Sequence, residues 1–291
     1  MGTEILQLMI GGFATGSIYA LIALGFVLIY KATGILNFAQ GELMMVGAYI
    51  YFALVTELQL PFLAAFLLTL VLSGILGLVL EFVFIERMVG EPVFSVVVIT
   101  LGLASLLRSL TGIVFGVLEK GLATPFSGKS LAIGPLVIWQ THAYAIVGGV
   151  ALFIIFMAFF KFSKTGIGMR AAAEDQDVAR LMGINIGRVF GLSWIIAAVV
   201  ASVGGIFYGD LSFLEPHMSF FGLRALPAAL LGGLDSVGGA LIGGLAIGLI
   251  EGLAGGYLGG TGQELAPWIL VLVILMARPY GLFGTREIKR V

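Results

Sequence analysis

The sequence predicts an all-α, polytopic membrane bundle of eight or nine membrane segments, some of them short or discontinuous. Three observations carry that expectation. Hydrophobic residues make up 60% of the 291 and charged ones 11%, against roughly 45–50% and about 25% in soluble domains. A water-facing surface cannot be built from such a mixture. Several apolar stretches approach or exceed the roughly 20 residues a helix needs to cross the hydrocarbon layer. Glycine occurs 43 times, often at four-residue spacing: 244, 248, 252 and 256 form one ladder, and Gly12 with Gly16 and Gly205 with Gly209 repeat it. Such ladders bring membrane helices into close contact.

Composition also removes whole classes of function. There is no cysteine, so disulfides, thiolate zinc sites, iron–sulfur clusters and cysteine nucleophiles are excluded. His142 and His217 are the only imidazoles, and no metal site or catalytic constellation is expected. A net charge of -1 gives no reason to expect a nucleic-acid partner.

Hydropathy places segments near 5–30, 40–57, 61–85, 93–117, 141–160, 189–209, 236–254 and 265–280. The stretch 217–233, with Arg224 and Pro227 inside it, reads as a crossing or a re-entrant helix. The first segment lacks a basic leader and is too long for a signal h-region, so it is expected to be retained. Lys161, Lys164, Arg170, Arg180 and Arg188 share one loop, and Arg278, Arg286, Lys289 and Arg290 lie at the C-terminal end. Positive charge accumulates in cytoplasmic loops, so both regions are expected inside, with Lys31 and Arg87, and the N-terminus and 118–140 outside. That threading requires 217–233 to cross, which favours nine. The loop 161–189 is too small for a core of its own, so residues 1–291 are expected to be one membrane domain. The glycine-rich stretches "LLGGLDSVGGALIGG" and "EGLAGGYLGGTGQE" read as tight turns running into helices.

Two stretches imitate nucleotide motifs. "ATPFSGKS", 123–130, ends like a phosphate-binding loop, but Ala123 replaces its first glycine and Pro125 removes an N–H donor. "GIGMRA", 166–171, follows a membrane segment where a β-strand is required. Neither is expected to bind a nucleotide.

The loop run "RAAAEDQDVARLMG" is more informative. Taken as one helix, it places Ala171, Ala172, Val178, Ala179 and Met182 on one arc, interrupted by Asp175. Gln176, Asp177 and Arg180 lie opposite, and Gly183 ends it as a C-cap. Glu174, Asp175 and Asp177 against Arg170 and Arg180 suit anionic lipid poorly. The helix is therefore expected to dock onto another protein.

In "ATGILNFAQGELMMVGAYI", 32–50, the residues Asn37, Gln40 and Glu42 interrupt apolar sequence just after the first segment ends. Polar residues in a membrane segment face the bundle interior or a water path, and interrupted segments mark binding sites. One reading makes all three pathway residues. The other has Asn37 and Gln40 stitch helices while Glu42 reaches the interface. Of the remaining intramembrane charges, Glu81 and Arg108 are expected near helix ends, snorkelling, and Arg224 and Glu251 deeper in the interior.

"GSIYALIALGFVLIYKATGILNFAQGELMMVGAY", 16–49, resembles the N-terminal signature of the permease subunits of branched-chain amino-acid ABC importers. "RAAAEDQDVARLMGIN" with "GLSWIIAAVVASVGGI", then "LPAALLGGLDSVGGALIGG" and "LMARPYGLFG", resemble the same family in the same order. The resemblance covers nearly the whole chain. It implies two permease subunits, often a nonidentical pair, in a prokaryotic cytoplasmic membrane, with an extracytoplasmic substrate-binding protein and two ATPase subunits that use ATP and Mg. No cofactor is implied on this chain, and no bond chemistry. The substrate implied is a branched-chain or related hydrophobic amino acid; urea and short-amide permeases share much of the pattern and remain an alternative. The family's Glu-Ala-Ala-x-x-x-Gly coupling element aligns with Asp177, Val178, Ala179 and Gly183, its acid shortened and first alanine replaced. With the charges read on the loop helix, the expected coupling residues are Glu174, Asp175, Asp177, Ala179, Arg180 and Gly183, and the polar residues of the membrane segments make the expected pathway residues Asn37, Gln40, Glu42, Arg224 and Glu251. An uncoupled channel or an ion-driven carrier would need no such loop helix.

Overall fold

A computed structural model describes residues 2–88, 91–134 and 136–284. Its axis is α1, Gly2–Thr33, a 32-residue helix whose apolar window is 89% buried. A helix buried on every side has no polar face to show, which is why its sequence carries no amphipathic pattern. α2 spans Gln40–Thr56, α3 Phe62–Leu80, α4 Val93–Phe115 and α5 Gln140–Phe162. α3 continues through a π-turn, Glu81–Ile85, and a 3₁₀ turn, Glu86–Met88. α8, Ile186–Leu211, is the second interior helix. α3, α4 and α5 are peripheral and show Leu67, Val71, Phe94, Val98, Val147 and Ile154 on their open faces, as helices facing hydrocarbon do. Among the described residues, six helices are long and apolar enough to cross a membrane.

The remaining expected segments take irregular forms. The stretch at 40–57 is α2, of 17 residues. The stretch at 217–233 is discontinuous: a 3₁₀ turn Pro216–Met218, then α9, Ser219–Leu223, and α10, Leu226–Gly232. The stretches at 236–254 and 265–280 fall in one long element, α11, Val237–Ala277, which bends at Gly259 (φ 72°, ψ −171°). Only glycine adopts that backbone without strain. The run "EGLAGGYLGGTGQE" is thus helical on both sides of one bend, and not the tight turn expected.

Two ends can be distinguished. At the hairpin end, 118–140 holds a two-stranded antiparallel pair, β1, Ser130–Ile133, and β2, Leu136–Trp139, which the apolar–polar reading did not anticipate. Gln7 of α1 donates to Val137 O at 2.5 Å, and Lys120 and Leu214 exchange backbone bonds of 2.9 Å. Asp210 accepts from Thr124, Ser127 and Thr141. The phosphate-loop look-alike therefore has the hydroxyls of Thr124 and Ser127 turned to a carboxylate, an arrangement hostile to phosphate. At the loop end, Lys31 donates to Asp235 O at 3.0 Å, and Leu282 N and Phe283 N donate to Leu231 O and Gly232 O at 2.8 and 3.1 Å. The charge threading divided the chain in the same way. Arg286, Lys289 and Arg290 lie outside the described residues.

The glycine ladder packs as expected. A Cβ on Gly12 would meet Gly248 O at 2.8 Å, and one on Gly16 would meet Gly244 O at 2.9 Å. Gly252 lies against Gly12, and Gly256 against Leu8. The other pair differs: Gly205 fits against Met44 of α2, and Gly209 against Leu214 and Leu122.

The loop run is two helices and not one. α6 spans Lys164–Glu174 and α7 spans Gln176–Leu181, with extended backbone at Asp175 (φ −155°, ψ 111°) between them. The Asp175 carboxylate accepts from Asp177 N and Val178 N, both at 2.9 Å. Aspartate favours an N-cap over a helix interior, and here that preference splits the run. The single apolar arc does not exist: Ala172 and Ala179 are buried, whereas Val178 and Met182 are exposed with Leu181. Gly183 does end α7, at φ 83°, with Ile184 N donating to Ala179 O and Gly183 N to Arg180 O, both at 3.0 Å, which is a Schellman close.

Candidate functional site

Two constellations stand out: a polar layer inside the bundle and the exposed tip at α7. The layer begins where α1 stops. Thr33 turns its hydroxyl back to Ile29 O at 2.7 Å, and Asn37 accepts from Ala39 N at 3.0 Å, an Asx turn that leads into α2. Gln40 takes a weak bond from Asn37 at 3.5 Å and donates to Ala197 O of α8 at 3.2 Å. Its carboxamide fills the space that Gly25 of α1 leaves open. Broken backbone within a membrane bundle needs such protein partners. Asn37 and Gln40 therefore have stitching work to do, as the blander reading expected.

Glu42 behaves differently. Its side chain is 0% exposed and pairs with Arg108 of α4. Of the two readings of Glu42, the one that takes it to the interface is thereby corrected, as is the expectation that Arg108 snorkels. The Arg108 guanidinium also lies 4.3 Å from the ring centre of Phe220 on α9. Glu81, likewise expected at the interface, is buried beside Gly191 of α8. Glu81 does lie at a helix end, where α3 passes into the π-turn, but it faces protein there and does not snorkel.

Arg224 follows α9 and meets two carboxylates on α11. Its Nη2 donates to Glu264 at 2.6 Å, and its Nη1 lies 3.8 Å from Glu251. Gln263 donates to Glu251 at 3.3 Å. Glu251 is buried, but the Arg224 and Glu264 side chains are 40% and 63% exposed. Glu251 also neighbours Tyr19, near the midpoint of α1. Tyr19 stacks on Phe221 at 4.7 Å, and Phe221 on Tyr208 at 3.7 Å. The structure thus gathers Glu251 and Arg224 into one group and Glu42 into a second beside α9. Arg108, Phe220 and Glu264 were missed as members of these groups. Glu264 is the instructive omission, because its glycine-rich flank read as a tight turn running into a helix.

At the loop end, Glu174, Asp175, Asp177 and Arg180 are exposed around α7, and Ala179 packs inward. Gln176 donates to Ala32 O at 3.0 Å, which ties α7 to the end of the axial helix.

A glycine-packed bundle of long apolar helices, with charged groups at its broken segments and an exposed tip at one end, defines a multi-pass membrane protein. Residues 8–277 match the family described as branched-chain amino acid transport system / permease component. The chain is 32% identical to the high-affinity branched-chain amino acid transport system permease protein LivH of Escherichia coli (strain K12), over 98% of this chain and 97% of that one. It is 29% identical to the corresponding protein BraD of Pseudomonas aeruginosa, over 98% of each. A probable LivH of Methanocaldococcus jannaschii is 27% identical, over 96% of this chain and 93% of that one. Among solved structures, PsaBC from Streptococcus pneumoniae in complex with Fab has a similar fold, with a TM-score of 0.50 and 15% identity over 94% and 95% of the two chains. The chain belongs to the branched-chain amino acid transport permease family.

Proposed function

We propose that this chain is the permease subunit of an ATP-driven importer, moving branched-chain or related hydrophobic amino acids across a prokaryotic cytoplasmic membrane by alternating access. A second permease chain completes the pathway, two ATPase subunits bind the loop end on the cytoplasmic side, and an extracytoplasmic binding protein delivers substrate at the hairpin end. ATP and Mg belong to the ATPase subunits, and this chain makes or breaks no bonds.

One observation carries the reading. α7 presents Val178, Leu181 and Met182 to the outside, flanked by Asp177 and Arg180, while Ala179 and Gln176 hold it to the body. Exposed aliphatic side chains ringed by charge suit a protein partner better than headgroups. The bond from Gln176 to Ala32 O passes displacement of α7 to the end of α1, and Lys31 links that point to Asp235 between α10 and α11. Closure of the ATPase pair would push this tip, and the bundle would change the side to which it opens. Glu42, Arg224 and Glu251 are the pathway residues of this proposal, with Asn37 and Gln40 positioning the break. Capture belongs to the binding protein, so the permease site is weak and releases readily.

Leu181→Glu, Asp177→Lys and Gly183→Pro test the docking. Each should leave the protein in the membrane yet reduce ATPase copurification and ATP-driven uptake by about tenfold or more, as loss of an interface hot spot does. Normal copurification and uptake in these variants would remove the docking assignment and favour an uncoupled carrier.

A further inference from the structure

The charged face of α9 has a property that lipid cannot accommodate. Arg224 and Glu264 are 40% and 63% exposed, yet Glu251, the second carboxylate beside Arg224, lies next to Tyr19 at the middle of α1. Charged side chains at that depth turn toward protein or a water-filled path. Phe220 lies one helical turn before Arg224, whose backbone N donates to Phe220 O at 3.1 Å, so the two positions share a face, and Phe220 is itself exposed. Beyond Phe220 stands Arg108 with Glu42. The open surface therefore carries, in order, a carboxylate, a guanidinium, an aromatic ring and a second guanidinium.

The Glu42–Arg108 pair beyond Phe220 also has spare bonding capacity. Among the described residues, Oε2 of Glu42 and Nε of Arg108 are buried without a hydrogen-bond partner. A buried group in this condition is costly unless something else completes it.

The geometry points to a station that reads a zwitterion: Arg224 receives the α-carboxylate, Glu264 receives the α-ammonium, and the aliphatic side chain lies on Phe220. The two ends of the Arg224–Glu264 pair, held together at 2.6 Å, are exchanged for the two charges of the substrate, and no net charge moves into the bundle. A guanidinium matches a carboxylate by paired hydrogen bonds. Urea or a short amide has no charge to offer either group and could not replace the ion pair. The station rests on the transport reading above and narrows it to amino acids against amides.

Saturation-transfer NMR on the full-length chain, as it purifies in detergent, reads weak binding without ATP or the binding protein. The probes are leucine, leucinol, 4-methylpentanoate and urea at millimolar concentration. Leucine should give the strongest transfer, leucinol and 4-methylpentanoate each less, and urea none. Arg224→Gln should weaken the leucine signal about tenfold or more, the scale for losing a hydrogen bond to a charged group, and leave leucinol unchanged. Arg224→Lys should retain part of the signal. Glu264→Gln, at an exposed position, should erase the preference for leucine over 4-methylpentanoate. Undiminished leucine binding in Arg224→Gln and Glu264→Gln would overturn the station, as would equal signals from leucine and both analogues. So would a change of oligomeric state without a change in leucine binding, which would make this face a contact between permease chains. Failure here leaves ATP coupling through α7 standing, and failure of the α7 variants leaves leucine binding untouched.

Discussion

Glu42 and Arg108 show what one pair of residues costs and contributes inside this bundle. Removing one partner of a buried ion pair strands the other, at about 3–5 kcal/mol, whereas replacing both by apolar residues is often neutral. Arg108→Leu should therefore lower the melting temperature of the detergent-solubilised chain markedly. Glu42→Leu combined with Arg108→Leu should recover most of that loss while transport stays impaired. Equal melting of the single and double variants would mean that the pair contributes no electrostatic coupling. The residue types were legible in the sequence, since a glutamate among methionines and leucines is conspicuous. The partners were not, because Glu42 and Arg108 meet only when α2 and α4 are packed.

At the scale of elements, the α1–α11 seam is set by glycine at four-residue spacing. An alanine at Gly12 places its methyl 2.8 Å from Gly248 O and 3.0 Å from Leu249 Cα, whereas at Gly11 nothing lies within 4 Å. Gly11→Ala should be neutral or stabilising, since alanine favours a helix by about 1 kcal/mol over glycine. Gly12→Ala should destabilise by about 1–3 kcal/mol through overpacking. Thermal unfolding of the two variants side by side decides the matter, and equal stability would contradict the seam. The spacing of the ladder announced close packing in advance. It did not say which helix fills the groove, and Gly205 and Gly209 proved to serve different neighbours. The loop helix shows the reverse weakness: periodicity suggested one element, and the capping chemistry of Asp175 made two.

At the scale of the whole molecule, the absence of native cysteine makes orientation directly measurable. Lys129 is exposed at the hairpin end and Arg180 at the loop end. Lys129→Cys should react with a membrane-impermeant maleimide in intact cells, with the outer membrane made permeable where one is present. Arg180→Cys should react only after the cytoplasmic membrane is opened. The opposite labelling pattern would invert the proposed orientation and place α7 where no ATPase could reach it.

By itself, the sequence determined the solvent of this protein, the helical class, the grouping of loops at two ends and the family. The first three follow from composition, run length and charge placement, which are local or additive properties of the chain, and the family from four motifs that resemble it in the same order. The tertiary structure alone decided that Asn37 and Gln40 stitch a broken segment and that Glu42 meets Arg108. It also decided that Arg224 lies between Glu251 and Glu264. Each of these joins residues from different helices, and a charge finds its partner in a membrane bundle only through the packing that excludes lipid from both.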